Sequence, residues 1–179
     1  MDIVLQKHYP FEFYQADALE YVAEHGKEFD AIHASPPCQA YSWAAKRWQK
    51  KWPDMVAETR AGLEENEVPW VIENVIGAPL RFAIVLCGTM FGLKVIRHRV
   101  FESSEWLWQP EHPRHEGSVG NGDFVTVAGH GGESKDYTLA GWREAMGIDW
   151  MDKTELTQAV PPTYTTYIGA QLMRVLQHG

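Results

Sequence analysis

The 179-residue sequence predicts an α/β domain, and three observations carry that expectation. Short runs rich in branched and aromatic residues at 29–34, 70–72, 83–86 and 93–101 have the length and composition of strands. Runs with helical spacing of apolar residues lie at 17–24 and 55–66, so strands and helices alternate. The composition, 45% hydrophobic and 22% charged, suits one soluble domain with one sizeable core. Strand–helix alternation is the pattern of a parallel sheet covered by helices, and such sheets gather ligands at the carboxyl ends of their strands.

Taken in order, 11–16 alternates aromatic and polar residues, and Asp17 then opens a helix over Ala18-Leu19-Glu20-Tyr21-Val22-Ala23-Glu24, with Gly26 as its stop. The strand at 29–34 ends against Pro36 and Pro37. Residues 43–52 form a polar, aromatic loop or loose helix, and Met55, Val56, Thr59 and Leu63 mark the next helix. Trp70-Val71-Ile72 forms a strand with Glu73-Asn74 at its carboxyl end. A turn around Gly88 and Gly92 joins the strands at 83–86 and 93–101. Six glycines, three histidines and little periodicity over 111–136 predict a long irregular insertion around one short strand at 124–128. A helix over 162–176, with Pro161 and Pro162 near its start, closes the chain.

Composition excludes several classes. No apolar run approaches the roughly 20 residues a membrane helix needs, and the first residues lack the pattern of a secretory leader, so a cytoplasmic protein without a membrane partner is expected. Two cysteines, Cys38 and Cys87, make no disulfide framework, and Cys87 in the apolar run after Ile84-Val85-Leu86 reads as a buried filler. The spacing of His112, His115 and His130 matches no common metal site, so these are expected to be loop residues. The net charge of −8 argues against nucleic acid, but Lys46, Arg47, Lys50 and Lys51 interleave with Trp43, Trp48 and Trp52 in a local basic, aromatic patch.

Three features carry chemistry. Cys38 follows two prolines just past a strand, on a rigid turn that suits an accessible nucleophile; a small residue filling a turn is the bland alternative. Glu73 leaves an apolar strand end, where burial raises a carboxyl pKa toward use as a proton donor; a solvated strand-end glutamate is the alternative. Arg97 and Arg99 alternate along a predicted strand, so both are expected on one face, able to grip a carbonyl, carboxylate or phosphate.

Together Ser35-Pro36-Pro37-Cys38-Gln39, Glu73-Asn74-Val75 and Arg97-His98-Arg99 resemble the DNA cytosine-5 methyltransferases, in order and with plausible spacing. Val95 stands where the family's glutamine precedes the arginines. Trp142-Arg143-Glu144-Ala145-Met146-Gly147 resembles the segment after the family's target-recognition region, and 159–169 its last block; the character is that of small phage-encoded members, which implies a bacterial host cytoplasm. The resemblance implies a Rossmann-like methyltransferase sheet with a catalytic α/β region at 1–102, a small irregular target-recognition insertion at 103–138, and a carboxy-terminal helical part at 139–179. It implies Cys38 as the covalent nucleophile, Glu73 on the cytosine ring nitrogen, and Arg99 with Arg97 on the ring carbonyl. Asn74 is expected to be a structural bridge.

By the same resemblance S-adenosylmethionine is the cofactor, with Asp2, Asp17 and Pro36 on its side of the site. Duplex DNA is the partner, touched by Gln39, Ser42, Lys46, Arg47 and Lys50. No strand followed by a Gly-rich turn precedes Cys38, so the sheet is expected to be amino-terminally truncated, with a second polypeptide supplying the missing cofactor segment. A start upstream of Met1 and a relative that binds DNA without methylating it are the alternatives. A more distant alternative is an exocyclic amino-methyltransferase, whose Pro-Pro turn carries an aromatic residue where Cys38 stands.

Overall fold

The computed structural model describes residues 1–41, 51–127 and 138–178. In chain order these form α1 (Ala18–His25), β1 (Ile32–Ala34), α2 (Val56–Glu64), β2 (Trp70–Asn74), β3 (Ile84–Leu86), β4 (Arg99–Ser103), α3 (Leu139–Met146), α4 (Lys153–Gln158) and α5 (Pro162–His178). The four strands make one sheet in the order β1-β2-β4-β3.

The sheet is mixed, which corrects the expectation of a parallel one. β1 and β2 pair in parallel, with Ile32 opposite Trp70 and Ala34 opposite Ile72. β4 runs antiparallel to both β2 and β3. The reason lies in the connections. The chain passes from β1 to β2 through α2, a helical crossover of the kind parallel strands need. Between β3 and β4 it makes only a 3-10 turn at Gly88–Phe91, without a helix to carry it back along the sheet. The strand expected at 93–101 is correspondingly shorter: regular pairing begins at Arg99, and Val95 instead makes an isolated parallel bridge with Val125. That bridge is all that the described part of the strand expected at 124–128 contributes.

β2 is buried along its whole length because both of its faces are covered. Val71 points into a cluster with Ile84, Leu86, Phe101 and the α5 residues Tyr164, Ile168 and Leu172. Its neighbours Trp70 and Ile72 face the opposite way, packing with Leu63 of α2, Val22 of α1, and Ile32. Strand alternation thus divides one apolar run between two layers, each fully buried aliphatic side chain contributing about 1.5–3 kcal/mol. A third cluster joins Val95 and Val127 to Trp142, Ala145 and Met146 of α3 and Leu156 of α4.

The predicted helices are present. Asp17 caps α1, its side chain accepting from the backbone N–H groups of Leu19 and Glu20. Val56, Thr59 and Leu63 form the buried face of α2, joined by Arg60. Gly26 ends α1 by a different device from the one expected: its backbone stays right-handed and passes into a 3-10 turn. Its lack of a side chain matters because a Cβ there would lie 2.2 Å from Asn66 Oδ1, and Asn66 donates to the Gly62 carbonyl at 2.7 Å. Gly26 therefore lets the ends of α1 and α2 meet. Underneath, Arg60 and Glu102 of β4 form a buried two-pronged ion pair at 2.5 and 2.7 Å, to which the Arg81 backbone N–H adds a third donor at 2.7 Å.

Residues 1–16 form a loop drawn together by a parallel bridge between Asp2 and Gln15. Ile3, Val4, Leu5, Phe11 and Tyr14 are exposed on it. No helix among the described residues is long and apolar enough to cross a membrane.

Candidate active site

Strand direction assembles the site. β1 and β2 run the same way, so their carboxyl ends deliver Ser35-Pro36-Pro37-Cys38 and Glu73 to one edge of the sheet. β4 runs against them, so its beginning lies at that edge and brings Arg99 in. Cys38, Glu73 and Arg99 line one open cleft of about 620 Å³, together with Asp2, Ser35 and Pro36. The rest of the lining comes from the amino-terminal loop at Gln6, His8 and Tyr9, from the loop before α4, from α4 itself and from Ala159.

The turn carrying Cys38 is braced from below. Asn74 donates through Nδ2 to the Pro36 carbonyl at 2.9 Å and accepts through Oδ1 from the Val75 N–H at 2.9 Å. It is fully buried, so it ties the proline turn to the end of β2, the bridging role expected of it. The Cys38 carbonyl accepts from the Tyr41 N–H at 3.1 Å, closing the turn. Pro36 is buried, whereas Cys38 is half-buried and reachable from the cleft.

Glu73 is 6% exposed and Arg99 Nε lies 2.9 Å from its Oε1. Burial raises the carboxyl pKa above the ordinary glutamate value, and this outweighs the opposing pull of Arg99, the Ser35 hydrogen bond and Arg97. The contact to Arg99 is ionic without hydrogen-bond alignment, which leaves Oε1 without a hydrogen-bond partner. A buried carboxyl in that condition is suited to engage a donor or acceptor brought by a ligand.

Arg97 precedes β4 rather than standing in the strand beside Arg99, and it is not among the residues lining the cleft. Nε, Nη1 and Nη2 donate to the carbonyls of Ala159, Val127 and Thr157 at 2.9, 2.8 and 2.7 Å. Its own carbonyl accepts from the buried Tyr164 hydroxyl at 2.6 Å. Burial, joined by the like charge of Arg99, lowers the Arg97 pKa to about 9 against the opposing pull of Glu73. Arg97 is thus a rivet holding the segment before α5 to the approach of β4, and its charge also pulls the Glu73 pKa down.

Of the other predicted site residues, Asp2 and Pro36 reach the cleft. Asp17 does not line it, because its Oδ1 is occupied by the first N–H groups of α1. Gln39 sits next to Cys38 in the turn, and Ser42, Lys46, Arg47 and Lys50 lie outside the described residues. Sequence reasoning gave Ser35 no role, although it hydrogen-bonds Glu73; it also missed Tyr164. The Ser-Pro-Pro run was a usable signal for the first. A tyrosine 67 positions from its acceptor offers none.

No family model matches the chain, and no curated protein or solved structure matches it.

Proposed function

We propose that this chain handles the target base of a DNA cytosine-5 methyltransferase. The convergence of Cys38, Glu73 and Arg99 on one cleft, with Glu73 buried and paired to Arg99, is the observation that carries this proposal. A cytosine turned out of duplex DNA presents carbon 6 to a thiolate, and addition of Cys38 there makes carbon 5 electron-rich. The electron pair moves into the ring as the sulfur–carbon bond forms. Glu73, its pKa raised by burial, donates a proton or hydrogen bond to ring nitrogen 3, and Arg99 holds the carbonyl oxygen at position 2. Arg97 is a positioning residue in this scheme, and Asn74 keeps the Cys38 turn at its distance from Glu73. Once carbon 5 has taken its methyl group, loss of the carbon-5 proton to solvent allows the carbon–sulfur bond to break and frees Cys38.

S-adenosylmethionine supplies the electrophilic methyl group in this chemistry. The cleft fits contact with it at Asp2 and Pro36, which line it together with Cys38. The Asp2 carboxylate accepts from the Val4 N–H and the Gln6 amide, and its remaining lone pairs can accept from hydroxyl donors. Asp17 is better assigned to capping α1. Parallel β1 and β2, with the reactive residues at their carboxyl ends, support a Rossmann-like methyltransferase sheet.

The test uses DNA substituted throughout with 5-azacytosine, whose ring nitrogen activates carbon 6 toward thiolates without a methyl donor. Expected is a covalent protein–DNA adduct that survives denaturing electrophoresis, maps to the peptide containing Cys38, and disappears in Cys38→Ser. A folded protein that forms no adduct overturns the proposal, as does an adduct that persists in Cys38→Ser. Subsequent turnover on ordinary DNA with S-adenosylmethionine, with and without a second polypeptide, then tells whether this chain completes the transfer alone.

A further inference from the structure

A second cluster of reactive side chains lies outside the cleft. Cys87 follows β3, His98 precedes β4, and His112 and His115 belong to the irregular segment beyond β4. Their donor atoms all lie within 4.8 Å of one another. Cys87 Sγ is 3.5 Å from His115 Nε2, and His98 Nε2 is 3.1 Å from His112 Nε2. The three imidazoles crowd together, with ring centroids 4.8 to 5.3 Å apart.

We propose that Cys87, His98, His112 and His115 form a structural zinc site that fastens the irregular insertion to the sheet. Bonds of about 2.0–2.1 Å to nitrogen and about 2.3 Å to sulfur put the corners of a zinc tetrahedron about 3.3 Å apart for two nitrogens and about 3.6 Å for sulfur and nitrogen. The His98–His112 and Cys87–His115 contacts of 3.1 and 3.5 Å agree with these edges. One thiolate with three imidazoles is a donor set suited to zinc, and four protein ligands close the coordination shell, the mark of a structural site.

The surroundings are built for that role. Cys87 is fully buried, and its sulfur accepts from the Thr89 hydroxyl at 3.4 Å, a contact that orients the sulfur behind the cluster. On binding, the Cys87 proton passes to solvent and the histidines ligate as neutral imidazoles. The segment over 111–117 contains no helix or strand, so a metal anchor supplies what backbone pairing does not. His98 also transmits the anchor to the cleft, since its carbonyl accepts from Arg99 Nη1 at 3.0 Å. The zinc proposal does not depend on the methyltransferase proposal.

The full chain, purified under reducing conditions and equilibrated with zinc, is assayed for bound metal by mass spectrometry, and then with cobalt by absorption spectroscopy. Expected are one zinc per chain and a tetrahedral cobalt spectrum with a thiolate-to-metal band, which Cys87→Ser loses and Cys38→Ser keeps. The double variant His112→Ala/His115→Ala alters a loop and should stay folded by circular dichroism while losing the metal. Each single histidine variant should bind at least about tenfold more weakly, since even residues behind the ligands cost that much. His8→Ala, which dismantles the exposed His8, Asp152 and Glu155 group, should hold zinc like the wild type. A folded wild type that takes up no metal, a double variant that retains it, or a cobalt spectrum without the Cys87 band would each overturn the assignment.

Discussion

Replacing Arg97 by lysine separates the roles of the two arginines. The guanidinium donates to three carbonyls drawn from two different segments, Val127 on one side and Thr157 and Ala159 on the other. A lysine keeps the charge, but a single ammonium cannot reproduce that planar fork and holds one of the three acceptors well. Two charge-assisted hydrogen bonds are lost at about 1.5–3 kcal/mol each, so Arg97→Lys should destabilise the fold by about 3–6 kcal/mol. For a chain of this size that lowers Tm by at least roughly 6 °C. Arg99→Lys, by contrast, keeps a cation beside Glu73 and leaves the three carbonyl contacts of Arg97 in place, so it should change Tm less while reducing adduct formation with 5-azacytosine DNA. The assay is thermal unfolding of both variants by circular dichroism, beside adduct yield at a temperature where both remain folded. An Arg97→Lys protein as stable as the wild type but unable to form the adduct would refute the rivet and return Arg97 to the base.

Other substitutions probe the remaining contacts. Glu102→Gln breaks the buried pair with Arg60 and should cost about 3–5 kcal/mol in urea unfolding, because a buried guanidinium is left unmatched. Although burial pushes the Glu102 pKa up, Arg60 and the Arg81 N–H hold it below the unfolded value of 4.5. The wild type therefore has this stabilisation in full above pH 4.5 and loses it as pH falls through the depressed folded value, and Glu102→Gln should flatten that acid limb. Glu73 has the opposite sign: its folded pKa is raised, so its proton is retained above 4.5, and adduct formation should fall as pH rises through the raised value, a limb absent in Glu73→Gln. Asn74→Ala leaves the buried Pro36 carbonyl without its donor and should cost about 1–3 kcal/mol, with slower adduct formation from a looser Cys38 turn.

The features legible in the sequence were those that local rules determine. Asp17 before an amphipathic run marked α1, the spacing of Val56, Thr59 and Leu63 marked α2, and short branched runs located β1, β2 and β3. Cys38 and Glu73 could be brought together because each follows a strand, and parallel neighbours deliver their carboxyl ends to one edge. The reversal of β4 was not legible, since pairing direction follows from how a connection travels rather than from the strand itself. The carbonyl partners of Arg97 were not legible either: the rule of alternate faces applies within a strand, and Arg97 stands outside one. Arg60 with Glu102 and Cys87 with His115 are joined across 42 and 28 positions, where no periodicity connects them. Long-range polar partners are chosen by packing, and packing is settled only when the layers close.

The Tyr164–Arg97 contact has a consequence for how the protein comes into being on the ribosome. Synthesis is vectorial, and the Arg97 carbonyl emerges 67 residues before the hydroxyl that holds it. Thr157 and Ala159, which grip the Arg97 side chain, also arrive late. β4 can pair with β2 and β3, and Val127 can accept from Arg97, before α5 has been made. The Arg97 carbonyl gains its hydroxyl donor only once Tyr164 exists, so completing this brace beside the cleft is a late event in biogenesis.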